Sequence, residues 1–392
     1  MEQGGPPDWR AAFVWLDLPF SAKMVETGNS AAALNHKSHM RHALMLAERA
    51  LGVVAPNPAV GCLVVTTDDR VVGRGWTQPG GRPHAEALAL DQAGAAARGA
   101  TAYVTLEPCA HHGHTPPCAE ALIAAGVAQV VAAVEDPDPR VRGKGFAMLR
   151  TAGVGVVVGV LVKEAARLNA GFFARVQNDR PHITCKIAQS FDGRTIPLRT
   201  GDWITGEEAR RFAHLLRAKH DAVLIGIDTV LADNPMLDCR LPGLEDRSPI
   251  RIVLDSQLRL PETSKVAQTA RVIPTMVFTT AHGGDQLRAL GVDVLRVMYD
   301  KKDRPDLTAV LGALAGRGTT RVLVEGGATV ISSFLAENHC DRLEIFTAPK
   351  TLGKSAGGEV RLLADIVGSG RFRLVSERMF GFDKLESYVL TS

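Results

Sequence analysis

His84 and Glu86 open an alanine- and leucine-rich segment, PHAEALAL at residues 83–90. Farther along, TLEPCAHHGHTPPC at 105–118 carries two cysteines and three histidines. Zinc deaminases of nucleobases hold their metal with one His or Cys and two Cys, beside a glutamate that is not a ligand. His84-Ala85-Glu86 supplies the first element, Pro108-Cys109 opens the second, and Cys118 follows after a stretched spacing. Three protein ligands leave the fourth tetrahedral position of zinc for water, as a catalytic site requires. Zinc lowers the pKa of that water toward ~7. Glu86, at the start of the same helix, can take the proton and deliver it to departing ammonia.

Each half alone has a plainer reading. His84 and Glu86 suit a helix N-terminus, where an acidic side chain complements the dipole, and isolated cysteines are often small buried apolar residues. The order, the spacing and the preceding proline together favour zinc. A structural zinc closed by His111, His112 or His114 is the main rival; those histidines read instead as loop or substrate-facing residues.

These residues need elements to place them. Residues 39–51 carry apolar side chains at Met40, Ala43, Leu44, Ala47 and Leu51, a helical stripe. The prolines of APNP end that helix. AVGCLVV and RVVGRGW read as strands, a helix starts near His84, TAYVTL is a buried strand, and PCAEALIAAG is a helix. AQVVAAV, GFAMLRTAG and VGVVVGV continue the alternation, and VKEAARLNAGFFARVQN reads as one long amphipathic helix stopped by DRP at 179–181. A domain boundary is expected there. A second run follows with HITCKIAQS, GEEARRFAHLLRAKH, DAVLIG, IRIVLD, RVIPTMVF, RVLVEGG, RLEIFTAP and KLESYVL. Such alternation predicts α/β sheets with helices on both faces.

Composition agrees. The 392 residues exceed one ordinary core, and 46% hydrophobic with 22% charged suits a folded chain. Lys plus Arg is 45 against 42 for Asp plus Glu. The near-neutral balance and the lack of a basic block count against a polynucleotide partner. No apolar run reaches the ~18 residues of a membrane span. The six cysteines are scattered, which speaks against a disulfide framework and for the cytoplasm. Residues 1–36 read as a poorly ordered extension.

The wording of the motifs is more specific than their spacing. APNPAVGCLVV, PHAEALAL, AYVTLEPCAHHGHTPPC and ALIAAGVAQVVAAVEDPDP resemble the bifunctional deaminase/reductase family of bacterial riboflavin biosynthesis. KIAQSFDGRT, WIT, LLRAKHDAVLIGIDTVLADNP and VEGGATV resemble that family's reductase half. The resemblance implies a cytidine-deaminase-like three-layer α/β/α domain over 37–180. A dihydrofolate-reductase-like α/β domain would follow over 181–392. It implies zinc-dependent deamination of 2,5-diamino-6-ribosylamino-4(3H)-pyrimidinone 5′-phosphate, then reduction of the ribosyl group to ribityl with NADPH. The expected enzyme is a homo-oligomer that takes a phosphorylated small molecule and engages neither nucleic acid nor membrane.

Residue by residue, the resemblance places zinc on His84, Cys109 and Cys118, and the proton shuttle on Glu86. Substrate contacts fall on Asn57, Arg217, Leu237, Arg240 and Glu325, with Lys186 lining the same cleft. NADPH contacts fall on Ala188, Trp203, Thr229, Asp233, Ser256 and the stretch Gly327, Ala328 and Thr329. Arg217 and Arg240 suit a phosphate because a guanidinium offers paired donors. The glycines after RVLVE let helix amides approach one. His114 stands where the family pattern leads us to expect a basic residue, and RTGDWIT is shorter than the usual loop. Two other readings compete: a nucleic-acid base deaminase with an inert C-terminal half, and a non-catalytic sensor with structural zinc.

Overall fold

The computed structural model describes residues 30–112, 116–195, 202–353, 360 and 363–391. Its strands are β1 (Gly61–Val65), β2 (Val71–Trp76), β3 (Thr101–Val104), β4 (Gln129–Ala132), β5 (Gly155–Val158), β6 (His182–Ser190) and β7 (Ala222–Gly226). They continue as β8 (Ile250–Leu254), β9 (Thr275–Thr279), β10 (Asp293–Arg296), β11 (Arg321–Glu325), β12 (Arg342–Ala348), β13 (Phe372–Phe380) and β14 (Asp383–Leu390).

The first sheet runs β2-β1-β3-β4-β5, with β1 antiparallel to both its neighbours and β3, β4 and β5 parallel. Successive strand residues point to opposite faces. Cys62, Val64, Ala102, Val104 and Val130 therefore pack on Ala85, Ala89, Ala119, Leu122 and Leu149. Leu63, Val65, Tyr103 and Val131 pack on Met40, Ala43, Leu44, Ala165 and Phe172 from helices across the sheet. Three layers result. Gly73 and Gly75 let the helix Ala85–Ala93 lie directly on β2: a Cβ on either would sit 2.0 Å from the carbonyl oxygen of Ala89 or Ala85. That contact fixes the helix whose N-cap is His84.

The second sheet runs β10-β9-β8-β7-β11-β6-β12-β14-β13, parallel through β12 and antiparallel beyond it. Ile183, Leu224, Ile252 and Val324 pack on the helices Leu307–Gly316 and Ala328–Ala336. Val223, Ile225 and Val253 pack on Val266 and Ala267, and Leu323 packs on Ala209 and Leu216 of the helix Glu207–Ala218. The order and the covered faces match the α/β expectation.

Three local expectations are corrected. The first helix spans Ser30–Ala47, so it starts inside the stretch read as an extension; residues 1–29 lie outside the described residues. The segment 162–178 is two helices, Val162–Leu168 and Ala170–Asn178. Asn169 leaves helical geometry because its buried amide accepts from Ala59 N and donates to Ala59 O, both at 2.9 Å. RVIPTMVF is a strand only from Thr275, after Pro274, which has no N–H for a ladder. Helix Leu307–Gly316 escaped the sequence reading because it is apolar nearly all round and shows no stripe; Asp306 caps it, accepting from Ala309 N at 2.8 Å.

Bonds also cross between the halves. Arg175 Nε donates to Ala315 O at 3.0 Å, and Arg247 Nη1 to Arg49 O at 2.9 Å. A Cβ on Gly52 would meet Ala218 O at 2.3 Å, so the backbones are in direct contact there.

Candidate functional site

The two sequence halves of the metal motif converge. The nitrogen of His84 and the sulfurs of Cys109 and Cys118 all lie within 4.8 Å of one another. His84 Nδ1 is 3.2 Å from Cys118 Sγ and 3.7 Å from Cys109 Sγ. The Cys118 amide, at the start of helix Cys118–Ala124, donates to Cys109 Sγ at 3.3 Å. One imidazole and two thiols at this spacing form a donor set that fits zinc. The neighbouring Cys118 side chain, more than its amide, holds the Cys109 thiol down to about 4, and the thiolate is the form that ligates a metal. Glu86 is 3% exposed, and burial, followed by the Cys109 charge, pushes its carboxyl up to about 7. A carboxyl of that acidity both gives and takes a proton near neutral pH.

The surrounding loops hold this arrangement. Asn57 lies against the turn that leads to His84, since a Cβ on Gly81 would come within 2.0 Å of its Nδ2. Glu107, two residues before Cys109, accepts from four backbone amides: Asp136 at 3.3 Å, Gly143 at 3.0 Å, Gly145 at 2.9 Å and Phe146 at 3.3 Å. It ties the cysteine loop to residues 136–146, a role the sequence reading did not assign. The signal was a carboxylate beside Pro-Cys facing a later glycine-rich VRGKGF. His112 lies apart from the metal group, with Nε2 3.4 Å from Glu120 Oε2, and His114 lies outside the described residues.

A second cluster forms on β6 and β11. Lys186 and Glu325 are register partners. Arg217 grips Glu325 with two bonds, Nε to Oε1 at 2.7 Å and Nη2 to Oε2 at 3.0 Å, and its Nη1 donates to Asp238 O at 2.9 Å. Burial works to raise the Glu325 carboxyl, but the Arg217 charge outweighs it and holds the group at about 2. Burial lowers the Lys186 ammonium from its ordinary value. Leu237 is buried in left-handed backbone geometry (φ 55°) beside Asp238. Arg240 is largely exposed, 3.4 Å from Asp238 Oδ1. The structure thus brings Lys186, Arg217, Leu237 and Glu325 together and leaves Arg240 at the rim. The guanidinium of Arg217, expected to face a phosphate, is engaged by Glu325.

Beyond β11, Gly326 and Gly327 take φ of 74° and 71°, which only glycine adopts freely. Ala328 and Thr329 open the following helix. Thr229 touches both glycines: its Oγ1 would lie 3.5 and 3.3 Å from their added Cβ atoms. Asp233 ends the helix Ile227–Asp233, and Ser256 follows β8, its carbonyl accepting from Thr279 and Thr280 hydroxyls at 3.1 and 3.0 Å. Ala188 packs in the apolar cluster with Phe346. Trp203 is exposed and stacks with the Arg210 guanidinium, 4.9 Å from its ring; residues 196–201 of the loop before it lie outside the described residues.

The chain is similar to known proteins over both sheets. The family "RibD C-terminal domain" matches residues 181–380, and "Cytidine and deoxycytidylate deaminase zinc-binding region" matches residues 34–134. Riboflavin biosynthesis protein RibD of Aquifex aeolicus is 43% identical over 321 residues, 81% of this chain and 88% of that protein. The protein of the same name from Actinobacillus pleuropneumoniae is 40% identical, over 93% of this chain and 98% of that one. The chain belongs to the RibD family. The solved structure of Acinetobacter baumannii RibD, form 1, superposes with a TM-score of 0.82 at 38% identity, covering 92% of this chain and all of that one. A deaminase/reductase structure from Thermotoga maritima gives 0.80 at 33% identity. The zinc-binding match contains His84, Cys109 and Cys118, and the RibD C-terminal match contains Lys186, Arg217 and Glu325. Among the described residues, no helix is long and apolar enough to cross a membrane.

Proposed function

We propose that this chain is the bifunctional riboflavin-pathway enzyme of the RibD family. It deaminates a phosphorylated diaminopyrimidine and then reduces the ribosyl side chain of the product with NADPH. The convergence of His84, Cys109 and Cys118 within 4.8 Å, with buried Glu86 two residues from the first ligand, carries the reading. The two units are assigned to residues 37–180 and 181–392.

In the deaminase, His84, Cys109 and Cys118 would hold zinc, which makes water nucleophilic near neutral pH. Glu86 accepts the proton from that water and passes it to the leaving amine. Asn57 lines the substrate side. Glu107 positions Cys109 through its four amide bonds.

In the reductase, NADPH supplies the hydride. Gly327, Ala328 and Thr329 present amides to its pyrophosphate, and Ala188, Trp203, Thr229, Asp233 and Ser256 complete its contacts. Lys186, made a readier proton donor by burial, serves the oxygen released as the ribosyl ring opens. Arg217 and Glu325 hold each other and the substrate, Leu237 packs against it, and Arg240 takes the phosphate at the rim.

We assign the enzyme to the cytoplasm, supported by its free cysteines, and to a homo-oligomer, supported by exposed Leu374, Met379 and Phe382 on and beside edge strand β13. Light scattering after gel filtration tests the latter. The deciding assay supplies the zinc-loaded protein with the diaminopyrimidine and follows ammonia release and NADPH consumption in sequence. Ammonia without NADPH consumption would favour a lone deaminase; neither would overturn the reading.

A further inference from the structure

Asn57 lies within residues 51–60, which form neither helix nor strand and lead into β1. One side of this segment meets the turn before His84, where Gly80 N donates to Val53 O at 2.8 Å and Asn57 covers Gly81. The other side meets the second half of the chain. Gly52 lies against Ala218 O, and a Cβ on Gly318 would come within 3.2 Å of the Pro56 side chain. Both contacts precede Asn57, the second by a single residue.

Beyond Asn57 the segment is held by side chains. Asn169, 2% exposed, accepts from Ala59 N and donates to Ala59 O, both at 2.9 Å. An amide that takes one bond and gives another fixes the direction of that backbone as well as its place. Asn169 follows directly on Arg167 and Leu168, whose carbonyls accept from Arg321 Nη2 at 3.0 and 2.5 Å. Arg321 is anchored in its turn. Asp221 Oδ2 accepts from the amides of Thr320 and Arg321 at 2.7 and 2.9 Å, and the Arg321 stem packs on Gly171, where a Cβ would lie 2.6 Å from Cγ. The junction lined by Asn57, Asn169 and Arg321 leaves a cavity of about 10 Å³, roughly the room of one water. The three therefore act on one another through packed atoms.

A buried asparagine that satisfies backbone groups ordinarily serves stability alone. Here the backbone it fixes is that of a candidate substrate contact, and the carbonyls in front of it are gripped from the reductase sheet. We propose that Asn169 is a positioning residue of the deaminase, and that Arg321 of the reductase half acts behind it to hold Asn57 at the substrate. This rests on the deaminase reading above, in which Asn57 lines the substrate side. A small misplacement of such a contact costs turnover without unfolding the chain.

The test uses the full-length zinc-loaded enzyme and the diaminopyrimidine. Ammonia release is followed in wild type, Asn57→Ala, Asn169→Ala, Arg321→Met and Arg321→Lys. It is also followed in the doubles that join Asn57→Ala to Asn169→Ala or to Arg321→Met. Methionine keeps most of the stem on Gly171 and removes the donors; lysine restores one. Asn169→Ala and Arg321→Met should each lower kcat/KM for deamination about three- to tenfold. Zinc per chain and reduction of pre-deaminated substrate should not change, and Arg321→Lys should recover part of the loss. Added to Asn57→Ala, neither change should cost more, because both act through that residue. An undiminished rate in any of Asn57→Ala, Asn169→Ala and Arg321→Met would overturn the positioning role while leaving the deaminase reading intact. So would falls that multiply with that of Asn57→Ala, or an equal fall in zinc or in reduction. A wild type that releases no ammonia would overturn both.

Discussion

Arg321 and Leu168 join the two halves of the chain: Arg321 Nη2 donates to the Leu168 carbonyl at 2.5 Å and to that of Arg167 at 3.0 Å. Arg321 begins β11, the strand that ends in Glu325, and the two carbonyls close helix Val162–Leu168. The bond therefore connects the reductase sheet to the C-terminal end of a deaminase helix. The next residue, Asn169, clamps Ala59, two residues from Asn57. With the Arg175–Ala315 and Arg247–Arg49 bonds, the Arg321 bonds form a seam between the two halves.

A fragment from Asp179 to Ser392 should still bind NADPH, because every residue proposed for that site lies within it, but it should melt below the reductase transition of the whole chain. Each lost bond is worth about 0.5–1.5 kcal/mol, and each kcal/mol shifts the midpoint by roughly 2–4 °C at this size. Calorimetry of both proteins checks it. An equal midpoint would mean that the seam contributes nothing to reductase stability.

Glu86→Gln keeps the side-chain volume and removes the proton carrier. Zinc content should stay, deamination should fall by about 10²–10⁴-fold, and reduction of pre-deaminated substrate should continue. Ammonia release near the wild-type rate would remove Glu86 from the mechanism.

Much of this was legible in the sequence. The metal set was readable because its chemistry constrains residue type and order, and most strands because β-branched runs mark them; β10 and β13, the two edge strands of the second sheet, were not read. Glu107 was not readable, since its role depends on amides some thirty residues away that only the fold brings round. The Arg217–Glu325 fork was hidden for the same reason: helix Glu207–Ala218 and β11 are a hundred residues apart, and either residue alone reads as a solvated charge. The break at Asn169 was masked by apolar periodicity running through both helices.

Cys118→Ser should lose zinc, because serine is a poor and mostly protonated ligand, while His112→Ala should keep it. Metal per chain after dialysis decides between them. Loss in the histidine variant with retention in the serine variant would replace the ligand set.

Buried His220 predicts an acid limit for the reductase sheet. Its Nδ1 must donate, since the Leu216 carbonyl 2.6 Å away can only accept, and its Nε2 lies 3.0 Å from Thr184 Oγ1. Burial first, then Arg321, lowers its pKa from 6.5 to about 3. Below pH 6.5 the unfolded chain binds this proton and the folded chain does not, so stability falls with pH until about 3. The contribution lost between pH 7 and 5 is about 2 kcal/mol. His220→Gln should lower stability at pH 7 but flatten the dependence by that amount in urea titrations. An equal slope in both proteins would show that His220 does not set it.

Arg240, at the rim and only loosely paired with Asp238, has a guanidinium available to the substrate phosphate. A charge-assisted bond of about 1.5–3 kcal/mol corresponds to roughly ten- to a hundredfold in affinity. Arg240→Ala should raise KM for the deaminated substrate by that factor and move KM for NADPH much less. Arg217→Ala should behave differently. It strands the Glu325 carboxylate in a buried site, which costs about 3–5 kcal/mol of stability, so its defect should appear in the melting curve as well as in turnover. If Arg240→Ala raises KM for NADPH alone, the rim belongs to the cofactor, and the phosphate of the substrate must be held elsewhere in the cleft.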